Sequence, residues 1–186
     1  MNLLLICGSP HREGNTFLAL SLMGSYLEEV GVSYTLFHVG VAPVGCLGCG
    51  NCASTRRCAV EDRVNEALDL IAKEEFDGYV FASPVHYGAV CGGMTGFLDR
   101  FFRAGKPLHI GKCGAAIAVA RRAGGISTCD QLLRYFPLFS MTAIGGDYWN
   151  VLYGTTHAEI LADTEGLSHL RATASAFATF LTGKQA

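Results

Sequence analysis

Two short stretches carry most of the chemistry available to this chain. The first is Gly8-Ser9-Pro10-His11-Arg12-Glu13-Gly14-Asn15-Thr16, directly behind the apolar run Leu3-Leu4-Leu5-Ile6-Cys7. Beyond it, Leu20, Met23, Leu27 and Val30 recur at helical spacing. The stretch therefore joins a buried strand to a helix N-terminus, where unpaired N–H groups and the positive end of the helix dipole favour an anion. Ser9, Asn15 and Thr16 add side-chain donors, so the chemistry is that of a phosphate cradle. A triphosphate loop needs G-x-x-x-x-G-K-[ST]. Here five residues separate Gly8 from Gly14, and Asn15 stands where the lysine would be. The dinucleotide fingerprint G-x-G-x-x-G is absent too. A hydroxyl-rich loop without the lysine suits a single terminal phosphate, such as that of FMN. The alternative is an ordinary strand-to-helix turn capped by Thr16.

The second stretch holds Cys46, Cys49, Cys52 and Cys58 in the spacing C-x2-C-x2-C-x5-C. Its first three positions match the ferredoxin run C-x2-C-x2-C-x3-C-P, and the fourth does not, being later and followed by Ala59. Four thiolates so placed suit a compact iron–sulfur cluster, with Gly45, Gly48 and Gly50 letting the backbone fold tightly around it. Arg56 and Arg57 would lie near its negative charge. Two alternatives stand beside this reading. A zinc site usually pairs two C-x2-C knuckles across a longer insert, and a loop of free thiols or a disulfide needs no metal. Cys7, Cys91, Cys113 and Cys129 fall on strands or helix starts and read as buried thiols.

These loops need a scaffold. The chain's 186 residues fit one domain, 1–186, and half of them are hydrophobic, as expected for a sheet buried under helices. A net charge of −2 with no basic stripe argues against nucleic acid. No signal-like n-region and no apolar run near membrane length are present, so the expected location is the cytoplasm, where eight cysteines stay reduced. Patterning predicts strands at 2–7, 33–39, 77–83, 113–120 and 141–146, with helices near 15–30, 62–74, 93–104, 126–139 and 166–182. Their alternation implies a doubly wound parallel sheet, with 33–39 near an edge. Residues 40–61 form a long irregular segment, which in a compact domain is usually functional.

Ligands of such sheets sit beyond the carboxyl ends of the strands. The loops there are Gly8 to Thr16, then Ser83-Pro84-Val85-His86-Tyr87-Gly88, then Arg121-Arg122-Ala123-Gly124-Gly125. An aromatic wall and a close-approaching glycine pair could hold a flat ring beside the phosphate. Each loop alone reads first as a turn punctuated by Pro or Gly, and it is three of them at one sheet edge that shift the reading to a site.

On these residues the chain resembles the flavodoxin-like NAD(P)H-dependent FMN reductases, and within them the iron–sulfur flavoproteins. The shared features are G-S-P-R-x-x-G-N-T at Gly8 to Thr16, S-P-V-Y-[aromatic]-G at Ser83 to Gly88, a helix ending in Asp99-Arg100, and the compact motif at Cys46, Cys49, Cys52 and Cys58. The resemblance implies a three-layer αβα sandwich with a five-stranded parallel sheet in the order 2-1-3-4-5. It implies that Ser9, His11, Asn15 and Thr16, with Phe17 beside them, bind FMN at its phosphate. Pro84, Val85, His86, Tyr87 and Gly88, with Arg121, Arg122, Gly124 and Gly125, would border the ring and ribityl chain. The four cysteines would ligate a [4Fe–4S] cluster. His11 replaces the usual arginine, with Arg12 following, and His86 replaces the usual tyrosine.

The flavin N5 would carry the chemistry, so no protein residue is expected to be catalytic. Electrons would come from NAD(P)H or from ferredoxin and leave to a small-molecule or protein acceptor. Tyr148 and Trp149 could cover the open flavin face, in their own subunit or across a homodimer or homotetramer, or could pack the C-terminal helix. The competing readings are a cluster-free NAD(P)H-dependent FMN, quinone or nitro reductase and a flavodoxin-type electron carrier.

Overall fold

Along β1 (Asn2–Cys7) the side chains alternate between two cores, Leu3, Leu5 and Cys7 on one side and Leu4 and Ile6 on the other. A strand buried on both faces needs a helical layer on each. The computed structural model describes residues 1–41 and 43–183; Ala42, in the long irregular segment, and 184–186, at the end of the expected domain, lie outside the described residues. One layer contains α1 (Asn15–Glu29), which buries Leu20, Met23 and Leu27 against the sheet. From it the chain enters β2 (Ser33–His38), parallel to β1 and at the predicted edge.

The segment that follows carries one short turn of helix, α2 (Cys52–Thr55), before α3 (Arg63–Lys73), which is capped by the Asp62 side chain on the Val64 N–H. Next, β3 (Gly78–His86) pairs parallel with β1 and doubles back into the two-residue β4 (Ala89–Val90). The predicted strand ended at 83, so Pro84 to His86 extend it beyond expectation. Tyr87 and Gly88 turn the corner, both at positive φ (52° and 78°), the conformation a tight two-residue hairpin requires. Then comes α4 (Gly92–Ala104), whose predicted stripe of Met94, Phe97, Leu98, Phe101 and Phe102 is buried throughout. Four-residue α5 (Lys106–His109) leads to β5 (Cys113–Ala120), which is buried along its whole length. Helix α6 (Gly125–Leu133) stops short of the predicted 139, because Pro137 lacks an N–H and sets a 3-10 turn over Pro137–Phe139.

Of the predicted fifth strand, 141–146, only β6 (Thr142–Ala143) forms, and a strand the sequence reading missed, β7 (Val151–Tyr153), also pairs with β5. The cause lies between them. At Gly146 a Cβ would come within 2.7 Å of the Thr173 backbone nitrogen, so the chain leaves the sheet there to lie on the last helix and returns at Val151. After β7 come α7 (His157–Ala162) and α8 (Thr164–Thr182); the capping box of Thr156 and Glu159 starts α7, a helix the sequence reading missed. The sheet therefore has seven strands rather than five, with β2-β1-β3-β5-β6 as its backbone order, β4 hung on β3 and β7 beside β5. Helices α1 and α8 cover one face, and α3, α4 and α6 the other, giving three layers. Among the described residues, no helix is long and apolar enough to cross a membrane.

His109 is fully buried among Phe101, Phe102 and Phe139, with Tyr79 Oη 3.0 Å from Nδ1 and the Phe101 carbonyl 3.0 Å from Nε2. Burial pushes its imidazole down to about 4. The unfolded chain therefore takes up a proton near pH 6.5 that the folded chain refuses until about pH 4. Stability falls across that window as pH drops, by roughly 3 kcal/mol in all. Urea titrations at pH 7 and pH 4 should show His109→Gln losing about that much less than the native chain over the interval; equal losses would place the acid sensitivity elsewhere.

Candidate functional site

The carboxyl ends of β1, β3, β5 and β7 lie along one edge of the sheet, and the loops that leave them meet there. At the first loop, the Ser9 hydroxyl, almost fully buried, accepts the His11 N–H at 3.1 Å, and Gly14 N–H bonds the His11 carbonyl at 3.2 Å. Gly14 is the N-cap of α1 and no side chain caps the helix, so Thr16 does not cap it; it is buried inside the first turn. The first backbone bond into the helix comes from Leu18 N–H to the Gly14 carbonyl. That leaves the N–H groups of Asn15, Thr16 and Phe17 without a protein acceptor among the described residues, the arrangement an anion seeks.

Asn15 is partly committed. Its side-chain amide donates to the Gly154 carbonyl at 3.3 Å, which ties the phosphate loop to the loop after β7. His157 Nε2 lies 2.9 Å from the Glu13 carbonyl and adds a second tie. Neither Gly154 nor His157 was singled out in the sequence, although the Thr-x-x-Glu capping signal marks the helix that begins at His157, just beyond the loop of Gly154. His38, at the end of β2 opposite Cys7, was missed too. Its ring stands edge-on to Phe17 at 6.4 Å, and its Nε2 is buried without a hydrogen-bond partner among the described residues. Burial lowers its pKa, against the opposing pull of the Ser9 backbone, and the charges of Arg12 and Arg63 add to the lowering. The phosphate loop is thus bordered by His11, Arg12, His38 and Arg63, which suits a dianion.

The β3–β4 hairpin is held to this loop through buried groups. Ser83 Oγ accepts the Cys91 N–H at 3.1 Å and donates to the Pro84 carbonyl, while Cys91 Sγ donates to the Gly8 carbonyl at 3.0 Å. His86, Tyr87 and Gly88 are exposed at its tip, and Tyr87 stands wholly clear of the surface. The third loop meets the hairpin backbone to backbone. Gly124 sits at φ 89°, where a Cβ would come 2.6 Å from Gly88 Cα and 2.9 Å from Val85 Cγ1. Ser127 Oγ closes the same junction on the Gly88 carbonyl at 2.6 Å. Gly125 is buried under Val151, whereas Arg121 and Arg122 are exposed. Thr155 and the Thr156 N–H hold the Glu159 carboxyl low, with Arg121 adding its charge. The predicted residues of three loops thus form one shelf, and the loop after β7 extends it. Tyr148 and Trp149 are half-exposed beside α8, with Tyr148 5.2 Å from the His169 ring, and they line a pocket shared with Ile126 and Tyr153.

The cysteine loop runs past the far end of α4. Cys46, Cys49, Cys52 and Cys58 are free thiols that line one small cavity together with Arg100. Cys46 and Cys49 are exposed; Cys58 is part-buried and pinned. Asn65, fully buried, accepts the Cys58 N–H at 2.9 Å and donates to the Cys58 carbonyl at 3.0 Å. As a donor set, four thiols on one cavity wall beside a buried guanidinium fit an anionic iron–sulfur group. Among the described residues no three His, Cys, Asp or Glu side chains already gather closely enough to hold a metal ion, zinc or iron alike. The other four cysteines, Cys7, Cys91, Cys113 and Cys129, are buried as predicted.

Comparison with known proteins places this edge in context. The family described as NADPH-dependent FMN reductase matches residues 1–156. An iron-sulfur flavoprotein of Methanocaldococcus jannaschii is 31% identical over 164 residues, covering 84% of this chain and 82% of its own. An iron-sulfur flavoprotein of Archaeoglobus fulgidus is 34% identical over 121 residues, 64% of this chain, and there the chain spans about half (54%) of the relative's length. Among solved structures, FerB, a flavoenzyme NAD(P)H:(acceptor) oxidoreductase from Paracoccus denitrificans, superposes with a TM-score of 0.72 at 17% identity over 98% of both chains.

Proposed function

Because the chain belongs to the NADPH-dependent FMN reductase family and is an FMN-dependent oxidoreductase, we propose that it passes electrons from NAD(P)H or ferredoxin to a small acceptor. In this reading it uses FMN on the carboxyl-edge shelf and a [4Fe–4S] cluster on the cysteine loop. The observation that carries the reading is the convergence of a hydroxyl-lined, uncapped helix N-terminus with the Gly88–Gly124 contact at the carboxyl edge of the sheet, together with four free thiols on a single cavity at the far end of α4. The relatives named iron-sulfur flavoprotein support the cluster.

Bound FMN would supply hydride and single-electron chemistry, and the cluster a one-electron relay. The chain's own work is binding and orientation. The N–H groups of Asn15, Thr16 and Phe17, with Ser9 and Thr16 hydroxyls, would take the phosphate, and His11 and Arg12 would offset its charge. Pro84 to Gly88 and Gly124 would border the ring, with Tyr87 free to lie over it, and Arg121 and Arg122 would reach the ribityl chain. Cys46, Cys49, Cys52 and Cys58 would hold the iron. Val41, Val44 and Leu47 expose large apolar surface on the cysteine loop (85%, 52% and 71%), which supports assembly as a homodimer or homotetramer. Eight free cysteines support the reducing cytoplasm.

A second reading, a cluster-free NAD(P)H-dependent reductase of flavins, quinones or nitro compounds, is favoured by one observation. The cavity that the four cysteines share has room for only about 20 Å³. The spectrum of protein isolated without oxygen, before and after dithionite, separates the two. Flavin bands on a broad bleaching shoulder support the cluster-bearing reading; flavin bands alone support the simple reductase. A colourless protein that also fails to take up added FMN overturns both.

A further inference from the structure

Arg100 is the last charged residue of the Asp99-Arg100 pair on α4, and its side chain is only 2% exposed. All five of its N–H donors are used. Nε donates to Cys58 Sγ at 3.1 Å, and Nη1 to the Val44 carbonyl at 3.2 Å and Asp62 Oδ2 at 2.7 Å. Nη2 donates to the Val60 carbonyl and to Asp62 Oδ1, both at 2.9 Å. These acceptors are not neighbours in the chain. Val44 precedes the first cysteine of the motif, and Cys58, Val60 and Asp62 are or follow the last. One buried guanidinium therefore closes the mouth of the loop, and one of its five bonds ends on a thiol of the candidate ligand set.

We propose that Arg100 is a positioning residue that clips both ends of the cysteine loop and, by its N–H···S bond to Cys58, raises the reduction potential of the cluster held there. The inference rests on the cluster-bearing reading for its second half only. A buried guanidinium satisfied on every donor is rigid, and breaking such a set strips the donor from Asp62 Oδ2 and from the Val44 carbonyl. A hydrogen bond to a ligating sulfur stabilises the more negative, reduced form, which moves the potential upward. The other three cysteines have no such donor among the described residues. Asn65 holds the Cys58 backbone while Arg100 holds its sulfur, so Cys58 is the fixed corner of the motif.

The clip is read on metal-free full-length protein by trypsin, whose target is the Arg56-Arg57 bond inside the loop. Arg100→Gln should speed cleavage there at least tenfold while the helical circular dichroism stays native; an unchanged rate overturns the clip. The sulfur bond is read on anaerobically reconstituted protein. Arg100→Gln should shift the cluster midpoint to a more negative potential, and Arg100→Lys, which keeps a donor and charge but cannot fork, should recover part of that shift. Equal midpoints in all three proteins overturn the tuning. If Arg100→Gln does not fold, Arg100→Lys alone decides, being cleaved faster than the native chain or overturning the clip. A native protein that takes up no iron and sulfide refutes the cluster reading and with it the tuning, and leaves the trypsin comparison to judge the clip by itself.

Discussion

Cys49→Ala protein, isolated without oxygen, should keep its flavin and lose its iron, falling from about four atoms per chain to below about one. Cys49 is exposed and makes no hydrogen bond among the described residues, so its loss leaves the fold intact and the effect falls on the ligand set alone. Surface substitutions of that kind cost about 0.5 kcal/mol or less. A drop in iron would therefore not be a by-product of unfolding. Iron and acid-labile sulfide measured against bound flavin decide the matter: iron unaltered in Cys49→Ala would show that this loop does not carry it. The same substitution at Cys91, buried behind the hairpin and bonded to the Gly8 carbonyl, should do the opposite, disturbing the flavin shelf and sparing the iron.

Gly124→Val should cost most of the flavin affinity. Gly124 sits at φ 89°, a conformation β-branched residues resist, and its Cβ would meet Gly88 Cα at 2.6 Å, backbone that cannot swing aside. The loop must move away from the hairpin, and the two sides of the shelf part. We expect Kd for FMN to rise at least thirtyfold, about 2 kcal/mol. Quenching of flavin fluorescence on titration measures it. A Kd within threefold of native would mean that the Gly88–Gly124 contact does not shape the site. Position 126, two residues on and exposed, serves as the control, since Ile126→Val should leave the affinity unchanged.

How much of this was legible in the sequence depends on whether the signal was local. The apolar runs of β1 and β5 and the stripe from Met94 to Phe102 were plain, because each element's own residues state its period. The phosphate loop and the cysteine motif were plain for the same reason. What escaped was set by distant backbone. Nothing near residue 146 says that Thr173 lies against it, so the last strand was expected to run on to 146, and β7 beyond it was missed. The extension of β3 through Pro84 hid behind a proline that usually ends a strand, yet Pro84 takes register with Val119 at the sheet's carboxyl edge. Arg100 was quoted only as half of a dipeptide. Its five acceptors come from segments 38 to 56 positions away, and no spacing rule reaches that far.

The division of the last strand into β6 and β7 has a consequence for how these molecules behave at high concentration. A sheet border is a template on which foreign strands can grow, and its danger scales with the length of unbroken ladder on offer. On the β5 side the border comes in pieces of two and three residues, separated by a stretch that lies on α8. Such fragments cannot seed a fibril-like ladder. The opposite border, β2, runs six residues and carries Tyr34, Leu36 and Phe37. Any strand-on-strand aggregation of the folded protein should therefore begin at β2, and a lysine placed at an outward position there would suppress it.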